Sequence, residues 1–354
     1  MPGDADVHFV TRTLLELFRA GRLPRVRSVE AEPGHGYMAA ITYRDGSVRV
    51  TRGSDTGINA ASAHAAALNK IDTRWLLGRA GVRCPEGTGF RLAGRGNPFA
   101  AARRGSALDA AAAVARVIAY VRDGPGFPVV LKPAEGQRGI GVWRCDTEED
   151  VERTVGRYGR DGITAFLVEE FVDLPDHRLV VLDGTLVYAT LRFPLAVTGD
   201  GRRSLRDLLA ARDGELRAAG MRPRAEVYGE QMEARLRREG RAFTDVPAAG
   251  ETVRLIDISN LPTGSDQRDV TAATAPAWAD LATAASRYAG LRFAGVDLAC
   301  ADLSAPPGPS ERYAVYELNS TPVLEGYSTM GPRQARVVDD LYARIFNEPG
   351  HPSA

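Results

Sequence analysis

The sequence predicts an α+β protein in which antiparallel sheets carry the chemistry and helices cover them. Alternating or short apolar runs, such as Tyr37–Tyr43, Leu179–Leu182 and Tyr313–Leu318, read as strands. Asp-Gly steps at Asp45-Gly46 and Asp183-Gly184 stand between such runs and read as hairpin turns. Segments with a helical apolar period separate them, and the first is Val7 to Leu23 with Val10, Leu14, Leu17 and Phe18.

Along the chain, the first helix leads past Pro24 into the hairpin around Asp45-Gly46. Asn59 to Ala80 reads as one helix with Asn69-Lys70 in its middle and Trp75, Leu76 and Leu77 on its apolar side. Gly81 stops it. Ala107 to Arg122 is a second, alanine-rich helix closed by Asp123-Gly-Pro-Gly126. Asp146 to Tyr158 is a third, and Thr147-Glu-Glu-Asp150 supplies a capping residue with acids in the first turn. Ala165 to Val172 is a strand ending in carboxylates, and strands to Leu182 and Arg192 follow around Asp183-Gly184. Leu205 to Leu216 and Glu226 to Gly240 read as helices, the latter rich in arginine and solvated. Asn260 to Asp269 is polar without apolar period, as a functional loop is. Ala275 to Leu291 is the next helix, with Trp278, Leu281 and Tyr288 on one side, and two strands near Asp297 and Glu317 close the pattern.

Composition excludes several classes. The 354 residues allow two or three lobes with real cores, and 44% hydrophobic with 25% charged residues is ordinary for a globular protein. Lys+Arg and Asp+Glu are 45 each, so no net charge draws the chain to nucleic acid or an anionic membrane. No eighteen-residue apolar run occurs, and Met1-Pro-Gly-Asp-Ala-Asp6 resembles neither a signal nor a transit peptide, so the expected location is the cytoplasm. Cys84, Cys145 and Cys300 form no C-x-x-C pair or zinc spacing and are expected to be buried free thiols.

Two stretches carry chemistry. In Phe127 to Trp143 a short strand delivers Lys132, a loop follows with Gly136, Gly139 and Gly141, and Ile140 to Trp143 leans back to strand. Glycines at this spacing let backbone N–H groups converge on an anion, and the lysine adds a full charge. The lysine precedes the glycines and no helix opens after them, so neither the P-loop nor the dinucleotide fingerprint fits. Standing alone, an ordinary glycine-rich hairpin with a surface lysine fits equally well. The second stretch places Asp297 on one strand and Glu317 and Asn319, two apart and on one face, on another. Hard oxygen donors in such a group suit Mg²⁺ shared with phosphates; the other reading is a buried polar cluster holding the hairpin together, against which stands the cost of burying unpaired strand-centre carboxylates.

The order Asn69-Lys70, Val129 to Gly141, Val168-Glu-Glu-Phe-Val-Asp173, Gly295-Val-Asp297 and Glu317-Leu-Asn319 resembles the ATP-grasp superfamily of carboxylate–amine ligases. It is most similar to the ligase domain of cyanophycin synthetases and to fused glutathione synthetases. The segments that carry this closeness are Asp176-His-Arg178-Leu-Val-Val, Arg192-Phe-Pro, Gly199-Asp-Gly201, Val246-Pro-Ala-Ala-Gly-Glu251 and Ser259-Asn-Leu-Pro-Thr-Gly264. The resemblance spans roughly residues 59 to 345.

The resemblance implies an ATP-grasp fold with nucleotide held between two α+β lobes, behind a short N-terminal lobe. The implied division is 1–65, a linker helix and central subdomain at 66–125, a small lobe at 126–175 and a large lobe at 176–354. It implies ATP and Mg²⁺, or Mn²⁺ in its place. Lys70 and Lys132 then touch phosphates, Gly136, Gly139 and Gly141 form a lid, and Glu169, Glu170 and Val172 belong to the adenine hinge. Asp176 faces the ribose, and Asp297, Glu317 and Asn319 hold the metal. The implied reaction phosphorylates a small carboxylate, and an amine attacks the acyl phosphate. Arg192, Arg254 and Arg268, in that order, are the candidates to steady the oxyanion; Ile256 stands where these relatives usually carry arginine, and Arg254 or Arg268 is expected to substitute for it. Two other readings keep the fold: a non-amine acceptor or simple carboxylate kinase, and a nucleotide-binding protein without catalysis. Dimers are common among such ligases, so a homodimer is among the expected states.

Overall fold

Why the strands pair as they do follows from their hairpins and from which face each buries. The computed structural model describes residues 7–93, 108–136, 139–218, 224–257, 267–308 and 312–348. In order, the first elements are α1 (Phe9–Arg19), β1 (Val26–Ala31), β2 (Met38–Tyr43) and β3 (Val48–Arg52). Then come α2 (Ala61–Leu68), α3 (Lys70–Arg79), β4 (Gly87–Arg91), α4 (Ala110–Asp123), β5 (Val129–Pro133), β6 (Trp143–Cys145), α5 (Glu148–Arg160) and β7 (Ala165–Glu170). The larger part continues with β8 (Asp176–Leu182), β9 (Thr185–Arg192), β10 (Ala196–Thr198), α6 (Leu205–Ala218), α7 (Arg224–Arg238), β11 (Thr252–Arg254) and β12 (Gln267–Asp269). It ends with α8 (Pro276–Tyr288), β13 (Phe293–Cys300), β14 (Tyr313–Asn319), α9 (Glu325–Ser328) and α10 (Pro332–Asn347).

The strands form sheets of order β1-β2-β3, β4-β7-β5-β6 and β12-β9-β8-β13-β14, with a small β10-β11 pair, and every neighbour is antiparallel. The β8–β9 turn uses Asp183 at φ 49° and Gly184 at φ 73°, the double positive-φ conformation that Asp-Gly favours. On α5, Thr147 and Asp150 make a reciprocal capping box, as the acidic start predicts.

The central strand β13 is buried along its whole length. Its Val296, Leu298 and Cys300 share a core with Trp278 and Ala282 of α8, so Asp297, on the alternate face, points away from that core. A second core joins α1 and the N-terminal sheet to α10 and to Val180, Leu182 and Phe293 of the large sheet. The small lobe has its own core around Val117, Leu131, Val155 and Phe166. Here β4 and α4, which the sequence division places in a linker and central subdomain, belong to the small lobe: β4 pairs with β7, and Val117 packs under the same sheet.

The helix expected from Asn59 to Ala80 is broken. Asn69 adopts an extended conformation (φ −105°, ψ 114°) and caps α3, its side chain accepting from the amides of Ile71 and Asp72. Trp75 is 66% exposed, so only Leu77 of the expected apolar trio is buried. Tyr288 is likewise exposed, whereas Trp278 is fully buried. Past the glycines the return strand begins only at Trp143, because Gly139 and Ile140 are in turns.

Candidate active site

An open cleft lies between the small lobe and the large sheet. Lys70, Lys132, Gly136, Gly139, Glu169, Glu170, Val172, Asp176, Arg254, Tyr316 and Glu317 all border it. Gly141 lies beside these: at φ 75°, with a Cβ that would come 2.9 Å from the Pro133 ring, the position requires glycine. Gln137 and Arg138 of the glycine loop, and residues 260–266 of the expected substrate loop, lie outside the described residues.

The break at Asn69 is what aims Lys70. Its backbone N–H donates to Ala134 O, Asn69 bridges to Glu135, and the Lys70 ammonium donates to Gly136 O at 2.9 Å. The same Nζ stands 4.0 Å from Glu317. Burial lowers the Lys70 pKa, with Glu317 pulling it back up. Lys132 reaches the cleft from β5, its Nζ 2.5 Å from Glu169 Oε2. Arg74 approaches the other Glu169 oxygen at 3.8 Å. The Glu169 side chain therefore holds a lysine. The hinge amides of Glu170 and Phe171 donate to Glu86 O and Pro128 O, and Val172 to Leu174 continue the wall beyond them.

On the large sheet, cross-strand register places Thr190, Arg178, Asp297 and Glu317 in one row, with Arg192 and Asp176 in the next. Both oxygens of fully buried Asp297 accept from Arg178, Nε to Oδ1 and Nη2 to Oδ2 at 2.7 Å each. Asn319 Nδ2 donates to Oδ2 at 2.9 Å, and Arg192 Nη2 lies 3.3 Å from Oδ1. Burial alone would raise the Asp297 pKa, but the two guanidiniums hold it below the usual range. Glu317 is raised, by burial first, with Lys70 opposing and Asp297 adding to the rise. Asp176 Oδ1 accepts from Arg192 at 2.8 Å and from the Tyr316 hydroxyl, and burial raises its pKa too.

The expected metal set comes together, with one departure. A carboxylate offers about four lone-pair sites, and four donors already face Asp297. Glu317, which faces the Lys70 ammonium at 4.0 Å, and the Asn319 carbonyl oxygen offer the oxygen donors that a hard cation prefers. Asp297 joins them only by giving up a donor, and meanwhile it orients the Asn319 amide. Among the described residues no group of three or more His, Cys, Asp and Glu side chains is placed to hold a metal ion, and this set has only two such residues beside Asn319.

No family model matches the chain. The glutathione biosynthesis bifunctional protein GshAB of Mannheimia succiniciproducens is 28% identical over 264 residues, covering 72% of this chain and 32% of that protein. The GshAB of Streptococcus mutans is 30% identical over 231 residues, covering 62% of this chain and 30% of its own length. The chain thus spans about a third of the length of these curated relatives. The crystal structure of a bifunctional glutathione synthetase from Pasteurella multocida matches over 96% of this chain and 44% of its own, with a TM-score of 0.56 and 21% identity. The fold is ATP-grasp.

The three candidate arginines separate, and of them only Arg254 borders the cleft. Arg192 is buried beside Asp176 and Asp297. Arg254 lies at the hinge end, its guanidinium donating to Ile256 O and Asp257 O and standing 3.9 Å from Asp173. Arg268 is exposed, over the Phe193 ring, and pairs with Leu191; the strand's alternation turns it to the face opposite Gln267 and Asp269, so it does not converge on the site. The residue the sequence reading missed is Arg178. It stands inside a quoted motif, and its place two residues after Asp176 on the same strand face was the signal.

Proposed function

We propose that this ATP-grasp chain is an ATP-dependent carboxylate–amine ligase, forming an amide between small substrates such as amino acids or short peptides and releasing ADP and phosphate. One observation carries the reading: Lys70 and Lys132 come from separate elements to the end of the cleft where Glu317 stands, with Arg178 and Arg192 behind it. Kinship with bifunctional glutathione synthetases supports it.

In this reading Val172 to Leu174 border the adenine, Asp176 faces the ribose, and Lys70 and Lys132 neutralise the phosphates. Glu317 and Asn319, with Asp297 beside them, would hold magnesium, which supplies further charge neutralisation at the transferred phosphoryl group. Glu169 keeps Lys132 extended into the cleft rather than free in solvent. The glycine turn covers the phosphates and excludes water that would hydrolyse an acyl phosphate. Arg192, and Arg178 beside it, place positive charge where the oxyanion of amine attack develops. No described helix is long and apolar enough to cross a membrane, and a cytoplasmic place is part of the proposal.

The test is a screen of amino-acid and short-peptide pairs with Mg-ATP, reading ADP and the mass of an amide. The proposal expects ADP in step with amide only when carboxylate and amine are both present. ADP from a carboxylate alone, unchanged by any amine, would make the protein a kinase. No ADP with any pair, despite bound Mg-ATP, would leave a binding protein.

A further inference from the structure

The α6–α7 excursion leaves the large lobe after β10, returns at β11, and packs on its own core through Tyr228, Met232 and Leu236. Its sequence reads as a solvated arginine-rich helix, yet α7 touches the small lobe at four places. Gln231 Nε2 donates to two carbonyls of the glycine turn, Gly139 O at 3.2 Å and Val142 O at 2.6 Å. Arg157 of α5 pairs with Glu230. Arg238 lies between Asp146, just past β6 at 3.3 Å, and Asp257, just past β11.

The turn is closed on itself by Val142 N–H donating to Gly139 O at 3.2 Å. Gly139 (φ 69°) and Gly141 (φ 75°) carry no side chains, so its carbonyls must find donors. Tyr158 supplies one to Gly141 O at 2.6 Å from within the small lobe. A primary amide nitrogen carries two protons, and Gln231 gives both to the turn from across the cleft. Gly139, Ile140 and Val142 border the nucleotide cleft, as does Asp257 on the other side.

We propose that Gln231 is a positioning residue: it seats the Gly139–Val142 turn of the small lobe against the large lobe, so that the turn covers the phosphates. The purpose of the seat rests on the ligase reading; the seat itself is readable without turnover. Loss of the two bonds frees the turn, which raises KM for ATP more than it lowers kcat. It also admits water, so more than one ADP appears for each amide formed.

The experiment compares Gln231→Glu, which keeps the shape but replaces the donors with a carboxylate facing two carbonyls, with Gln231→Lys, which keeps a donor. Hydrogen–deuterium exchange over residues 139–142 is read in the full chain with and without Mg-ADP, beside KM for ATP. The Glu variant is expected to exchange about tenfold faster in this turn alone and to raise KM for ATP about fivefold, with the Lys variant near wild type. Exchange within twofold of wild type in the Glu variant would overturn the proposal. So would faster exchange spread over α4 and β13, because that marks a general structural role. If wild type forms no amide with any substrate pair the ligase reading falls, and the exchange pattern still decides whether Gln231 seats the turn.

Discussion

Arg178 and Asp297 face each other across β8 and β13 as register partners, joined by two parallel bonds of 2.7 Å. A fork of this kind gives a buried carboxylate both charge and geometry. Removing one partner of a buried ion pair typically costs about 3–5 kcal/mol, because the other charge stays buried. Arg178→Met is therefore expected to lower stability by an amount in that range, less whatever Arg192 recovers at 3.3 Å from the same carboxylate. Urea unfolding checks it. Adding Asp297→Asn should restore part of the loss, and a double variant as unstable as the sum of the singles would contradict the pairing.

Lys132 and Glu169 form the corresponding pair in the small lobe. Lys132→Ala is expected to weaken ATP binding by about tenfold to a hundredfold, in the range of a charge-assisted hydrogen bond. Glu169→Gln should give a smaller loss in the same direction, since the lysine remains but is no longer held. Nucleotide titration checks both, and unchanged affinity in Lys132→Ala would remove the lysine from the phosphate site.

The arginines make a contrast. Arg192→Ala is expected to lower kcat by about 10²–10³, the effect of losing one preorganised oxyanion donor. Arg268→Ala, on the opposite face of its strand, should leave kcat within about twofold, like other surface changes remote from a site. A large kcat loss for Arg268 with none for Arg192 would reverse the assignment.

Burial lowers the pKa of His177 to about 4, opposed in part by its bond with Pro175. The unfolded chain binds this proton near pH 6.5, so stability tied to His177 is complete above that pH and is lost as pH falls toward 4. The full difference is roughly 3 kcal/mol. Urea midpoints should therefore fall more steeply between pH 6.5 and 4 for wild type than for His177→Leu. Parallel pH profiles would contradict the burial argument.

The placement of the candidate site was legible where a residue type recurs in a fixed order: two lysines and a glycine turn at one cleft, and Asp297, Glu317 and Asn319 on adjacent strands. What stayed hidden depends on pairing between distant segments. The helix break at Asn69 follows from bonds to Ala134 and Glu135, which helical periodicity cannot show. The direction of Arg268 depends on which residue of β9 it meets, and the work of Gln231 on where α7 comes to rest. Cysteine usage, by contrast, was readable at once. None of the three forms a disulfide; Cys145 and Cys300 are buried as expected, Cys84 is only half-buried, and burial pushes the Cys145 pKa up to about 12.

In the proposed reaction the cleft joins a carboxylate to an amine through an acyl phosphate. Its most direct test takes a substrate pair that releases ADP and labels the carboxylate oxygens with ¹⁸O. One labelled oxygen is expected in the phosphate released with each amide, because the bridging oxygen leaves with the phosphoryl group. Unlabelled phosphate, or AMP and pyrophosphate in place of ADP and phosphate, would contradict it.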